Sequence, residues 1–311
     1  MKVYLNGVDI TKYVSTLTWQ GTATQVSRTV DITIANNPYD KTFKAPIIAN
    51  GDIIKFTEKD EIYIGVCTGL QKTGEIGTVT YNTKDFMHYL LRGTYNRKFK
   101  NMTPEAITKK ICSDLNITTG KLAITNIHLS KVTCDGVAPY NGIVKAYNRA
   151  SKKCGNYYMP VMQGKKLGVM LKWEECGITL KNTMTSSEYS ENTDSMVNQV
   201  VIYTEKGAKA GVVKNQQSID KYGLYQEIYT KEKGVNAKTA ARNMLHGATK
   251  EGKLEDVLGD VRAKAGYAIR IQDEATGLTG KYYITSDSHT WESGRHTMSL
   301  ELTFTKEREA L

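Results

Sequence analysis

No run of about 18 consecutive apolar residues occurs anywhere in the 311-residue sequence, so a membrane-spanning helix is not expected. The opening segment, MKVYLNGVDITKYV, lacks a charged start followed by an apolar stretch, and secretion through a signal peptide is not expected either. Cysteine is sparse and unpaired in pattern: Cys67, Cys112, Cys134, Cys154 and Cys176 are odd in number, far apart and without a CxxC motif. That argues against a disulfide framework and predicts reduced, mostly buried thiols of a protein made in a cytoplasm. Proline occurs only 5 times against 26 glycines and 19 tyrosines, a balance that suits β-structure with tight hairpins. No low-complexity linker separates the parts, which predicts packed domains rather than beads on a string.

The motifs of the common catalytic sites are missing as well. The chain has no GxSxG, HExxH or GxxxxGK[ST] sequence. His289 and His296 flank TWESGR on the two arms of an expected hairpin, but a metal site needs a third ligand at recognisable spacing. Glu174 and Glu175 are adjacent, and adjacent residues on a strand point to opposite faces, so they do not form a glycosidase pair. Cys154 with His128 is formally a nucleophile and base, yet Cys154 falls on the apolar face of an expected helix and is assigned to core packing. No enzyme, cofactor or metal is expected.

What the chain does have is an uneven distribution of charge. Lys and Arg number 9 against 9 Asp and Glu in residues 1–90, 15 against 5 in 91–180, and 18 against 18 in 181–311. The whole net charge of +10 therefore sits in the middle third, between two neutral flanks. The cations are scattered as RKFK, TKK, SKKC and QGKK, without the aromatic and basic interleaving of a nucleic-acid module. Lys152, Lys153, Lys165 and Lys166 are taken as a basic surface for an acidic protein partner.

Periodicity separates the same three parts, and the expected fold class is α+β, mainly β. Val3, Leu5, Asn6-Gly7, Val8 and Ile10 predict a two-residue hairpin. Val30, Ile32 and Ile34 share one face of TVDITIANNPYD before a turn at Asn36-Asn37-Pro38, and GDIIKF with IYIGVCTGL predicts another hairpin. These build a β-domain over 1–92. In the basic centre, 93–178, Thr103, Pro104 and Glu105 predict a helix start, with Ile107, Ile111 and Leu115 on its apolar face. A second helix carries Ile143, Tyr147, Ala150 and Cys154 on one face and stops at Gly155. YYMPVM, QGKK and LGVMLKW then predict a hairpin ending at Trp173. Residues 179–311 are expected to form a second β-domain with one helix, over AKTAARNMLHGA, and three final strands ending in the alternation Met298, Leu300, Leu302, Phe304.

Several of these segments, in this order, carry a family resemblance. They are GTATQVSRTVDITIANNPYD, GDIIKF with IYIGVCTG, YNTKDFMHYLLR, TPEAITKKICSDLNI, YNGIVKAYNRASKKCGNYYMP with KLGVMLK, VNQVVIY, YGLYQEIY and GLTGKYYITSDSHTWESGRHTMSLELTF. The chain resembles the XkdQ-type baseplate hub proteins of contractile phage tails, tail-like bacteriocins and defective prophages, over nearly its whole length. The resemblance implies two tail-tube-like antiparallel β-barrel or sandwich domains flanking a small α+β domain. It also implies a homotrimer whose six tube-like domains form a ring between the sixfold tail tube and a threefold central spike.

Tail tube protein, central spike protein, baseplate wedge or LysM-type tail proteins and the tape-measure protein are the implied partners, and no membrane is. The implied location is the baseplate of a virion or tailocin particle assembled in the bacterial host cytoplasm. The role is structural, with no catalytic residues to carry over, and any cell-wall cutting would belong to a partner. The rival readings are a nucleic-acid-binding protein using the basic centre, a cell-wall-degrading tail enzyme resting on the unassigned Cys, His and Glu residues, and another tail protein such as a distal tail adaptor.

Overall fold

The computed structural model describes residues 1–24, 27–37, 39–40, 42–71, 77–181, 186–232 and 236–306, so the expected turn residue Pro38 lies outside the described residues. The chain is mainly β. It divides into two compact units, one made of Met1–Glu188 with Lys253–Leu311 and one of Tyr189–Gly252.

The first unit begins with β1 (Lys2–Leu5), β2 (Val8–Asp9), β3 (Val14–Thr22), β4 (Thr29–Asn36), β5 (Ile53–Thr57), β6 (Glu61–Gln71) and β7 (Gly77–Asp85). The first turn forms as expected: Asn6 and Gly7 take φ of 48° and 90°, the left-handed pair that a tight hairpin requires. On β4 the alternation also holds, with Val30, Ile32 and Ile34 all inside the core. Each such side chain removed from water contributes roughly 1.5–3 kcal/mol.

The basic centre follows as β8 (Tyr95–Met102), α1 (Pro104–Asp114), β9 (Thr119–Leu122), β10 (Leu129–Val137), α2 (Pro139–Cys154), β11 (Tyr158–Gln163) and β12 (Lys166–Leu171). Thr103 caps α1 by accepting a hydrogen bond from the Ala106 amide, and Ile107 and Ile111 enter the core. Ile143, Tyr147 and Ala150 of α2 are buried too, and α2 stops at Gly155. Two expectations fail at the helix ends. Leu115 is the C-cap of α1 and is 37% exposed, because the helix stops before that position can turn inward. Cys154 is the last residue of α2 and is exposed, its Sγ 3.5 Å from the Tyr158 hydroxyl, so it is not packed in the core. Cys67, Cys112 and Cys134 are buried, and Cys176 is half-buried.

Next come β13 (Glu175–Lys181) and β14 (Ser186–Asn192). The second unit contains β15 (Gln199–Tyr203), β16 (Lys209–Lys214), α3 (Gln216–Tyr222), β17 (Gln226–Thr230) and α4 (Ala237–Met244). Its sheet runs β16-β15-β17, and its core joins Val197, Val200, Ile202 and Ala241. The expected helix is α4, with Ala237, Met244 and Leu245 packed on that core; α3 is additional.

Strands β18 (Thr249–Leu258), β19 (Ala268–Gln272), β20 (Thr279–Glu292) and β21 (Arg295–Thr303) complete the described chain. They do not form a sheet apart from the start of the protein. A single sheet runs β14-β18-β21-β20-β3-β4-β7-β6-β5-β1-β2, with β19 also on β20 and β13 on β19. Strand β20 makes the join. Its first part, Thr279–Tyr283, pairs with β19, and its second, Ser286–Glu292, pairs with β3. A register shift between Ile284 and Ser286 in its pairing with β21 marks the changeover, as a bulge that redirects a strand would.

Candidate functional site

Three features of the first unit carry chemistry: the cations of the middle region, the histidine pair and a buried ion pair. The cations are mostly on the surface. Lys98 and Lys100 of β8 and Lys131 of β10 are exposed, and Lys100 lies directly across the ladder from Lys131. Like charges opposed in this way destabilise a strand pair, so the arrangement is not explained by folding. Lys172 is the exception, buried with its Nζ donating to the Ala23 carbonyl at 2.8 Å.

Three of the region's five anions are already occupied. Asp114 takes Arg97, accepts from the Tyr95 hydroxyl at 2.6 Å and lies 3.4 Å from Lys110. Those hydrogen bonds pull its carboxyl down to about 2. Glu105 accepts from the Thr125 hydroxyl at 3.0 Å, and Glu175 takes Arg270 and Lys281 of the C-terminal strands, each at 3.0 Å. The surplus is therefore presented to solvent rather than cancelled locally.

Of the four singled-out lysines, Lys152 and Lys153 stand exposed in the last turn of α2, where a cation is favoured by the helix dipole. Lys165 and Lys166 are exposed at the turn between β11 and β12, with Lys165 Nζ 5.3 Å from the centre of the Phe86 ring. The four thus fall as two pairs on separate elements of the middle region. An ammonium group on a flexible stem is a compact point charge.

His289 and His296 do lie on the two arms of the β20–β21 hairpin, but diagonally, since His289 faces Met298 and His296 faces Trp291. Among the described residues no group of three His, Cys, Asp or Glu converges to hold a metal. Instead His289 is a core residue. Its Nε2 donates to the Ala263 carbonyl at 3.0 Å, and its Nδ1 shares a hydrogen bond with His296 Nε2 at 3.1 Å. Burial pushes its pKa down to about 4. Glu174 is exposed beside the ion-paired Glu175. His128 faces the Asn101 carbonyl at 3.1 Å, whereas Cys154 lies against Tyr158.

The buried ion pair was not apparent in the sequence. Arg28, just before β4, holds Asp287 of β20 through both terminal nitrogens, one at 2.8 Å, and Arg28 also lies 4.0 Å over the Trp19 ring. Asp287 is fully buried and accepts a further bond from the Ala265 amide at 2.6 Å. Beside them Asp85 accepts from Ser27 Oγ at 2.8 Å and from the amides of Arg28 and Met87, both at 3.1 Å; burial raises its carboxyl to about 6. No positional signal in one sequence links residues this far apart.

Comparison with known proteins then decides the family. The YQBQ-like family model matches residues 17–303. The chain belongs to the YQBQ-like family. This YQBQ-like chain is 23% identical over 296 residues to the phage-like element PBSX protein XkdQ of Bacillus subtilis, covering 91% of the chain and 90% of XkdQ, and the resemblance to XkdQ-type proteins is borne out. Its fold is that of the 43 kDa tail protein of prophage MuSo2 from Shewanella oneidensis, with TM-score 0.73 at 13% identity and 97% of each chain covered. A more distant likeness is to the Escherichia coli c3393 protein, TM-score 0.55 at 13% identity, covering 100% of this chain and 79% of that one. That protein is described as a type VI secretion component similar to the T4 tail proteins gp27 and gp5.

Proposed function

We propose that this YQBQ-like protein is a structural, non-enzymatic hub of a contractile tail baseplate, built as a homotrimeric ring between the sixfold tail tube and the threefold spike. The observation that carries the reading is family membership from residue 17 to 303 together with a prophage tail-protein fold over 97% of the chain. In this reading 1–92 and 179–311 supply the tube-like sheets around the 93–178 centre, the latter part interrupted by the unit Tyr189–Gly252. Edge strands of such sheets invite pairing, and closed symmetry satisfies them without open-ended growth. The tube and spike proteins are the direct partners, with wedge, LysM-type and tape-measure proteins as further neighbours in a virion or tailocin particle.

The cationic middle surface, with Lys152, Lys153, Lys165 and Lys166 at its two exposed pairs, is assigned to an acidic protein in that assembly. Native mass spectrometry of the purified chain, with cryo-electron microscopy of the particle, tests the reading. A trimer located in the baseplate is expected; a stable monomer found in no tail particle overturns it. Replacing the four lysines by Glu should leave the trimer intact and block attachment of a neighbour. Salt-dependent DNA binding lost in the same variant would instead favour a nucleic-acid contact.

A further inference from the structure

A cavity of about 220 Å³ opens between β3, the β11–β12 hairpin and the loop before β19, with Trp19, Arg28, Met159, Met162, Met170 and Lys264 in its lining. It exceeds the ~150 Å³ engineered cavity that admits benzene. Its lining is chemically divided. The methionines supply a polarisable, adaptable apolar wall. The other side carries the cationic side chains Arg28 and Lys264.

Lys264 adds a charge only partly offset by Asp287. It is half-buried, and among the described residues no carboxylate lies within ion-pair distance of it. Its Nζ has only the Trp19 and Tyr267 rings, 5.9 and 5.5 Å from their centres. Burial and the nearby Arg28 push its pKa down, which registers the cost of that placement. Asp85 also lines the cavity, but its oxygens are taken by three donors, and Asp287 is spent on Arg28 and the Ala265 amide. A cation drawn out of water without a carboxylate partner is costly, so Lys264 on the wall of an apolar cavity points to a missing acceptor.

We propose that this cavity binds a monocarboxylate on a short aliphatic body, the carboxylate accepting from Lys264 and the aliphatic part lying on Met159, Met162 and Met170. The proposal is independent of the tail assignment. A free short-chain acid and a glutamate side chain offered by another protein carry the same chemistry.

The test uses the full chain with 13C-labelled methionine methyls. Hexanoate should shift the Met159, Met162 and Met170 signals and raise the melting temperature, while hexylamine should do neither. Lys264→Met should weaken hexanoate about tenfold, the loss of roughly one charge-assisted bond. Met162→Glu, which supplies a carboxylate from the wall, should abolish hexanoate binding and raise stability, and it keeps the question open to a decision if Lys264→Met folds poorly. Tighter binding of N-acetylglutamic acid α-amide than of hexanoate assigns the site to a protein side chain; the reverse assigns it to a free acid. Absence of binding by both at millimolar concentration, or equal binding of hexanol with no dependence on Lys264, overturns the proposal.

Discussion

The Arg28 guanidinium grips the Asp287 carboxylate through both terminal nitrogens, joining the loop before β4 to the middle of β20 across 259 residues of sequence. Asp287 has no exposed side-chain surface, while Arg28 keeps 22% of its own, so the two partners pay unequally when the pair is broken. Arg28→Met strands a buried carboxylate and is expected to cost about 3–5 kcal/mol in denaturant unfolding. Arg28→Met combined with Asp287→Leu should cost less than the two single changes added together, because neither charge is then left alone.

Two buried groups of this region titrate with opposite consequences over the same pH range. Asp85 is raised from 3.8 to about 6, so the folded state binds the extra proton and Asp85 adds stability as pH falls through that window. His289 is lowered from 6.5 to about 4, so the unfolded state binds the extra proton and stability is lost as pH falls from 6.5 toward 4. Each effect is worth about 3 kcal/mol, and they offset. Asp85→Asn should therefore make the melting temperature fall more steeply than wild type between pH 6.5 and 4. His289→Gln should make it rise relative to wild type over the same interval.

Gly142 illustrates packing that overrides local preference. Alanine favours a helix over glycine by about 1 kcal/mol. Here a Cβ would stand 2.6 Å from Cys134 Sγ and 3.3 Å from Ile111 Cδ1. Overpacking of this kind costs about 1–3 kcal/mol, so Gly142→Ala is expected to destabilise on balance. Adding Cys134→Ala removes the sulfur and should restore most of the loss in thermal unfolding.

Thiol reactivity should follow exposure. Cys154 is exposed, whereas Cys112 is buried and pushed up to about 12 by that burial. A thiol reagent added to the native protein should label Cys154 first and Cys112 only on unfolding. Mass spectrometry of the labelled peptides checks the order, and Cys154→Ser should remove the fast phase.

How much of this was legible beforehand depends on how local the signal is. Asn6-Gly7, the Val30, Ile32 and Ile34 alternation and the Thr103-Pro104 cap are short-range patterns, and each yields the element it predicts. Strand β18 is not legible in the sequence because Asp256, at φ 50°, breaks the two-residue period, so that Leu254 and Val257 both turn inward although three apart. Helix α3 has no apolar stripe; among its residues none is buried, and Asn215 caps it by accepting from the Ser218 amide. The charge surplus of the middle region could be counted in advance, as could the exposure of lysines at a helix end and a hairpin turn. The meeting of Arg28, Trp19 and Lys264 could not, because they come from strand and loop segments that only the folded sheet brings together.

Strand β20 gives half its length to β19 and half to β3, and that has a mechanical consequence. A protease that nicks the chain between β7 and β19 would cut the covalent thread without freeing a fragment, since early and late segments stay stitched along one ladder. Separating the two segments from each other must break the ladder between β20 and β3, so the molecule has no seam where its sequence has its midpoint.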